Sequence, residues 1–324
     1  SFVIILISFI LPPTTNYLAK SFISKKKVEN YSSITFDRKI EKNSDKKSSI
    51  ADEKFDLFNI FADIDLFKSN ENSNNTTVLS ASTLEQLFKD TNYDLKKVRD
   101  TKLVNIGNSI DHLPREIKNI EDVKKRKKLF IQIVLPLIIE ENTKIILDRK
   151  KLFQILNKNN NSKKDMEWIS KKFKQYGIKN KDVSVLKIRM DIIPVSLAIA
   201  QAAKETGWGT SRFAQEGNAL FGQWTWNGDG IRPAEVSSDA KHKVAKFKVL
   251  KASVRAYQRN LNTHSSYKKF RQERATQRDN DEELNSLILL KYLDNYAETG
   301  IEYTKVLKKI ILQNSLIDFD DVKI

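Results

Sequence analysis

Apolar residues recur at helical spacing from Glu121 to Asn142, then at Ile145, Ile146, Leu152, Phe153 and Leu156, until Asn157–Ser162 breaks the pattern. One long helix is predicted there, opened by acidic residues that suit the positive end of its dipole and kinked near Pro136. A second helix runs from Lys164 to Gln175 with Trp168, Ile169 and Phe173 inward, and Gly177 closes it. A third starts at Pro194, whose fixed φ suits a first turn, spans Val195 to Thr206 and stops at Gly207 and Gly209. Lys251 to Asn262 places Val254, Tyr257 and Leu261 on one stripe, and Tyr267 and Phe270 continue the apolar pattern. Two further helices, Glu283–Tyr292 and Glu302–Leu312, flank a loop from Asn295 to Gly300. Period-two alternation appears in Ile231–Val236 and Lys243–Val249, after the turn signal Asn227-Gly-Asp-Gly230, and predicts a small β-hairpin. Upstream, Ser82 to Phe88 opens with a capping pattern good for a turn or two.

The amino-terminal part reads differently. Phe2 to Leu11 is an apolar run of about half a membrane span, ending at Pro12-Pro13, and reads as an export signal or membrane anchor. The chain begins with Ser rather than Met, so the run is expected to extend upstream. Lys20, Lys25, Lys26 and Lys27 follow it closely, against the usual charge bias of an exported segment. From Lys20 to Thr77 the composition is that of a disordered linker, apart from Phe55–Phe67, which is apolar enough to dock as a short helix or strand. The predicted organisation is a signal or anchor over 1–24, a linker over 25–96, a helical arm over 97–184 and a helical domain with the β-hairpin over 185–324. The class is mainly α (α+β).

Composition narrows the chemistry. Fifty-seven Lys and Arg against 41 Asp and Glu give a net charge of +16, a surface that attracts polyanions, nucleic acid and cell-wall polymers alike. The run Lys124–Lys128 reads as a solvated helix face, and no nucleic-acid-binding motif accompanies it. Zero cysteines exclude disulfides, thiolate metal sites and a thiol nucleophile. The three histidines, His112, His242 and His264, form no close ligand pair, so neither a metal nor another cofactor is expected.

The informative residue is Glu205. On the helix from Val195 to Thr206 it shares a stripe with Ala198, Gln201 and Ala202, small and apolar apart from the glutamine. The negative end of the helix dipole and desolvation both oppose its ionisation. A carboxylic acid that keeps its proton near neutral pH can protonate a leaving glycosidic oxygen. Phe221, Trp224 and Trp226 follow, close to one another, and aromatic faces beside such an acid suit sugar rings.

The stretch Ala-Gln-Ala-Ala-Lys-Glu-Thr-Gly-Trp-Gly-Thr-Ser-Arg-Phe-Ala, with Gly-Asn-Ala-Leu-Phe-Gly-Gln-Trp-Thr-Trp226 after it, resembles the Bax-type bacterial glucosaminidases of the peptidoglycan N-acetylglucosaminidase family. The likeness continues at His242–Phe247, Ser253–Tyr257, Asn260–His264 and Tyr296-Ala-Glu…Glu302-Tyr303, and upstream at Leu135–Asn142 and Arg189–Pro194. It implies a lysozyme-like fold whose small β-wing carries a second carboxylate, for which Asp229, Glu235 and Asp239 are the candidates and Glu235 the choice. It also implies that Tyr296 and Tyr303 line the cleft, although Gly300-Ile-Glu302 stands where related flagellar-type enzymes have Asp-Pro. The expected activity is hydrolysis of the β-1,4 bond after N-acetylglucosamine in peptidoglycan strands of the cell envelope. The rivals are a lytic transglycosylase closing 1,6-anhydro rings and a wall- or polyanion-binding protein without turnover.

Overall fold

The computed structural model describes residues 78–105, 107, 109–225, 230–232 and 243–324. The apolar run Phe2–Leu11, the patch Phe55–Phe67, and Trp226, Asp229, Glu235, Asp239 and His242 lie outside the described residues.

Helix α1, Ala81–Asp90, is capped by Ser80, whose side chain accepts from the Thr83 N–H, two residues before the expected start. The cap sits there because Leu84 and Phe88, one turn apart, are the residues the core buries. With α2, Leu95–Thr101, capped by Asp94, it makes ordered helix of the last part of the predicted linker. A short 3₁₀ turn, Arg115–Asn119, leads into α3, Val123–Leu156. At 34 residues α3 starts two residues later than predicted, because Asp122 stays outside as the cap and accepts from the Lys124 and Lys125 N–H groups.

Proline 136 lies within α3. Having no N–H, it leaves the Gln132 carbonyl one turn earlier without its helical donor. The Tyr93 hydroxyl fills the gap, donating to Gln132 O at 2.9 Å, while Gln132 Nε2 donates back to Tyr93 O at 3.0 Å. Both residues are buried, and burial pushes the Tyr93 hydroxyl far above its usual pKa. From Leu129 to Ile139 every residue of α3 is buried, so this segment is the axis on which the other helices pack.

Helix α4, Lys163–Gln175, opens with a reciprocal capping box between Ser162 and Asp165. Ile169 and Phe173 face inward as predicted, but Trp168 does not. It is only partly buried, with the Lys151 and Lys172 ammonium groups 4.7 and 5.4 Å from its ring. Short α5, Val183–Arg189, precedes α6, Val195–Thr206, whose bounds match the sequence reading. Pro194 is the cap residue of α6 and offers no side-chain acceptor. Asp320, at the far end of the chain, supplies one instead, accepting from Ser196 N at 2.7 Å and Ser196 Oγ at 2.8 Å.

After α7, Arg212–Gly217, come β1, Trp224–Thr225, β2, Gly230–Ile231, and β3, Lys243–Ala245. They form an antiparallel sheet in the order β1-β3-β2, with Trp224 opposite Val244 and Ile231 also opposite Val244 from the other side. The wing thus has a third strand, β1, beyond the predicted hairpin. β3 ends at Ala245, short of the predicted Val249, because Lys248 and Val249 bend into the next helix.

Helix α8, Leu250–Thr263, agrees with the pattern, but α9, Lys268–Asp279, is longer than the apolar hints at Tyr267 and Phe270 suggested. Its buried face is partly arginine. Arg274, fully buried, donates to the carbonyls of Ile188, Asp191 and Ile192 and to Asn262 Oδ1. The predicted helix over Glu283–Tyr292 is shorter: α10 covers Ser286–Leu289, capped by Asn285, and a 3₁₀ turn continues to Tyr292. Helix α11, Ile301–Gln313, and a last 3₁₀ turn, Leu316–Phe319, close the chain. Each of α1, α3, α6, α8 and α11 contributes buried residues to one main core. A second cluster joins Ala252 and Ala256 of α8 to Val244 and Ala245 of the sheet, and the result is a mainly helical fold with a small antiparallel sheet. Among the described residues no helix is long and apolar enough to cross a membrane.

Candidate active site

Helix α6 sets the geometry. Ala198, Ala200 and Ala202 have no exposed surface, so the helix beds closely among α3, α8 and α11. Gly207, at φ +57, ends it in the left-handed conformation that a side chain resists. Gln201 and Glu205, one turn apart, therefore leave the same face near this end. Gln201 is fully buried and Glu205 partly so.

Tyr303 of α11 meets both. Its hydroxyl donates to Glu205 Oε1 at 2.9 Å and accepts from Gln201 Nε2 at 3.1 Å. The Tyr257 hydroxyl of α8 donates to Gln201 Oε1 at 2.7 Å. Three side chains thus run in series from the core to the carboxyl group. The second carboxyl oxygen faces Gly222, whose missing Cβ would stand 3.4 Å from Oε2. Gly222 has φ +59.

Burial raises the Glu205 pKa, and the Tyr303 hydrogen bond and the Lys204 charge offset this only in part. The neutral acid is therefore favoured to higher pH than for an ordinary glutamate. The surrounding phenols are held neutral as well, chiefly by burial: Tyr267 is pushed up to about 12, and Tyr257, Tyr296 and Tyr303 are raised well above the usual phenol value.

Aromatic rings form the wall. Tyr296 and Tyr303 stack at 5.5 Å and 9°, and Tyr267 lies 6.0 Å from Tyr296. The Tyr296 hydroxyl donates to the Phe221 carbonyl at 3.0 Å, which ties the loop before α11 to the chain beside Glu205. An open hollow of about 500 Å³ adjoins this wall, lined by Asp294, Asn295, Tyr296, Glu298 and Gly300 among others. Of the candidate residues, Glu205, Tyr296 and Tyr303 are brought together. Phe221 is near them through its carbonyl, but its ring is 1% exposed and stacks on Tyr257 at 3.9 Å, so no ring face is open to a sugar. Trp224 is placed through its backbone in β1, paired with Val244.

A family model described as mannosyl-glycoprotein endo-beta-N-acetylglucosaminidase matches residues 180–316, which takes in α6, the wing and both tyrosines. Protein bax of Escherichia coli (strain K12) is 33% identical over 189 residues, covering 56% of this chain and 67% of that protein. The chain belongs to the Bax-type glucosaminidases. The family is one of glycosidases, and the arrangement around Glu205 is read in that light. No solved structure matches the chain.

Sequence reasoning missed Gln201, Tyr257 and Gly222 as neighbours of Glu205 in the candidate site. Gln201 gave a signal, as the one amide on the stripe of small residues that also carries Glu205. Tyr257 looked like one more core position of α8, and only the fold reveals that its hydroxyl ends at Gln201.

Proposed function

We propose that the protein hydrolyses the β-1,4 bond after N-acetylglucosamine in peptidoglycan strands of the cell envelope, with Glu205 as the general acid. The observation that carries this is a half-buried carboxyl group with one oxygen held by Tyr303 and the other beside the side-chain-free Gly222. Such a group delivers its proton to the glycosidic oxygen as the bond to the anomeric carbon breaks, and the sugar cation that develops needs a second carboxylate or an activated water on its other side. Glu235 is proposed for that role. Tyr296, Trp224 and Trp226 are proposed to hold the sugar rings, and Tyr303 to orient the acid.

The test is digestion of purified sacculi followed by mass spectrometry of the soluble products. Hydrolysis gives reducing-end N-acetylglucosamine, whereas 1,6-anhydro ends mean transglycosylation and no release means binding alone. Glu205→Gln is expected to lower turnover by about 10²–10⁴-fold with the melting temperature nearly unchanged, because the amide keeps the size but delivers no proton. A folded variant that retains more than about a tenth of the rate removes Glu205 from the role. In the same assay Glu235→Gln is expected to be severely impaired while Asp229→Asn and Asp239→Asn stay active. A reversed pattern moves the second carboxylate to the residue whose loss is felt.

A further inference from the structure

We infer that Gln201 is a positioning residue: clamped by Tyr257, its amide turns the Tyr303 hydroxyl onto Glu205 Oε1 and leaves Oε2 to carry the acid proton. The inference rests on the reading of Glu205 as the acid, and it adds which oxygen acts and what selects it.

The reasoning starts at the buried end. Tyr257 has no exposed surface, and its hydroxyl has one hydrogen-bond partner among the described residues, Gln201 Oε1 at 2.7 Å. A phenol has one proton to donate. Were the amide turned over, Nε2 would face this oxygen, and the phenol proton would be left without an acceptor in a dry core. The amide therefore presents Oε1 to Tyr257 and Nε2 to Tyr303, 3.1 Å away. The Tyr303 oxygen, accepting from Nε2, sends its own single proton to Glu205 Oε1 at 2.9 Å. Each bond in the series polarises the next in the same direction.

A protonated carboxyl group has one carbonyl oxygen and one hydroxyl oxygen. With Tyr303 donating to Oε1, Oε1 is the carbonyl and Oε2 bears the proton. Oε2 is the oxygen beside Gly222, where no side chain stands. The direction of one buried amide thus decides that the proton points away from α11. Tyr257, Tyr267, Tyr296 and Tyr303 approach Glu205 from the elements packed against it, all neutral, and Lys204 is the charged neighbour on its own helix.

The consequence is a pH effect transmitted through Gln201. The Tyr303 bond favours ionised Glu205, so its loss raises the pH at which the acid gives up its proton, and activity persists to higher pH. The experiment measures kcat/KM against pH on soluble glycan strands for the wild type, Tyr303→Phe, Tyr257→Phe, Gln201→Met and the Tyr257→Phe/Tyr303→Phe pair. Tyr303→Phe is expected to move the alkaline limb up by roughly one pH unit. Tyr257→Phe and Gln201→Met are expected to move it the same way. In the first the freed amide turns its oxygen to Tyr303; in the second nothing holds the phenol. The double variant is expected to shift no further than Tyr303→Phe alone, because both act through one bond.

Loss of rate or stability in Tyr257→Phe and Gln201→Met with the limb unmoved overturns the inference, as does an additive shift in the pair. Glu205→Gln separates this from the proposed function. If it stays active the acid assignment fails; if it is inactive while the limbs of the other variants coincide with wild type, only the relay fails. The wild-type protein supplies a measurement independent of variant folding at Tyr257 or Gln201. Its infrared difference against Glu205→Gln should show a protonated carboxyl C=O band lowered by an accepted hydrogen bond. A band at the frequency of a free carbonyl overturns the inference.

Discussion

At the scale of single residues, the proposed acid has an open side where a side chain is absent. Gly222 sits at φ +59 with its open side toward Glu205 Oε2. Gly222→Ala meets a left-handed conformation that costs about 1–2 kcal/mol against a Cβ, and it sets a methyl group in contact, 3.4 Å away, with the oxygen proposed to carry the proton. The expected result is a lower melting temperature together with a loss of kcat/KM larger than any change in KM. Unchanged turnover in the folded variant would mean that the glycosidic oxygen does not approach from this side. Glu205 stood out in the chain as a candidate, because a carboxylate on a stripe of small residues needs a reason. Its partners were not. Tyr257 and Tyr303 stand 56 and 102 positions from Gln201, and nothing in a helical stripe tells which buried phenols turn their hydroxyls toward the same amide.

At the scale of elements, Pro136 and Tyr93 act as one unit. The proline removes a donor from the middle of α3, and the Tyr93 hydroxyl replaces it at Gln132 O. Tyr93→Phe leaves that carbonyl unpaired in the core and is expected to cost about 1–3 kcal/mol. Pro136→Ala restores the N–H at its helical position, so Tyr93→Phe should cost distinctly less in the Pro136→Ala background, a coupling readable from urea midpoints of the four proteins. Equal costs in both backgrounds would show that the carbonyl does not link the two residues. The long helix itself was readable from periodicity, since Leu129–Ile139 is apolar over three turns and tertiary burial agrees with it. α9 was not. Its inward side is Phe270 with Arg271, Arg274 and Gln277, and a face satisfied by hydrogen bonds to carbonyls carries no apolar period. The third strand β1 escaped for a different reason: two residues are too few to show alternation.

At the scale of the whole molecule, the last residues of the chain hold the start of α6, the helix that carries Glu205. Lys323 pairs with the segment after α2, through Val104 N to Lys323 O at 2.8 Å and Lys323 N to Lys102 O at 2.9 Å, and Arg99 meets Asp318 at 3.2 Å. Between these ties Asp320 caps α6 through Ser196. Burial raises its carboxyl group from 3.8 to about 6, and the hydrogen bonds from Ser196 and Ser286 do not fully offset this. An acid whose folded pKa lies above its unfolded value keeps a proton that the unfolded chain has already lost. Between about pH 4 and pH 6, therefore, this group makes stability fall as pH rises, by an amount on the order of 1–3 kcal/mol once solvent screening is allowed for. Asp320→Asn keeps an oxygen for the Ser196 N–H and cannot ionise. Measured by urea unfolding at pH 4.5 and pH 7, the variant should gain on the wild type as pH rises, by that same order. The opposite trend would mean that the positive end of the α6 dipole and the three donors outweigh burial, and that the strap grips the helix more firmly when Asp320 is charged.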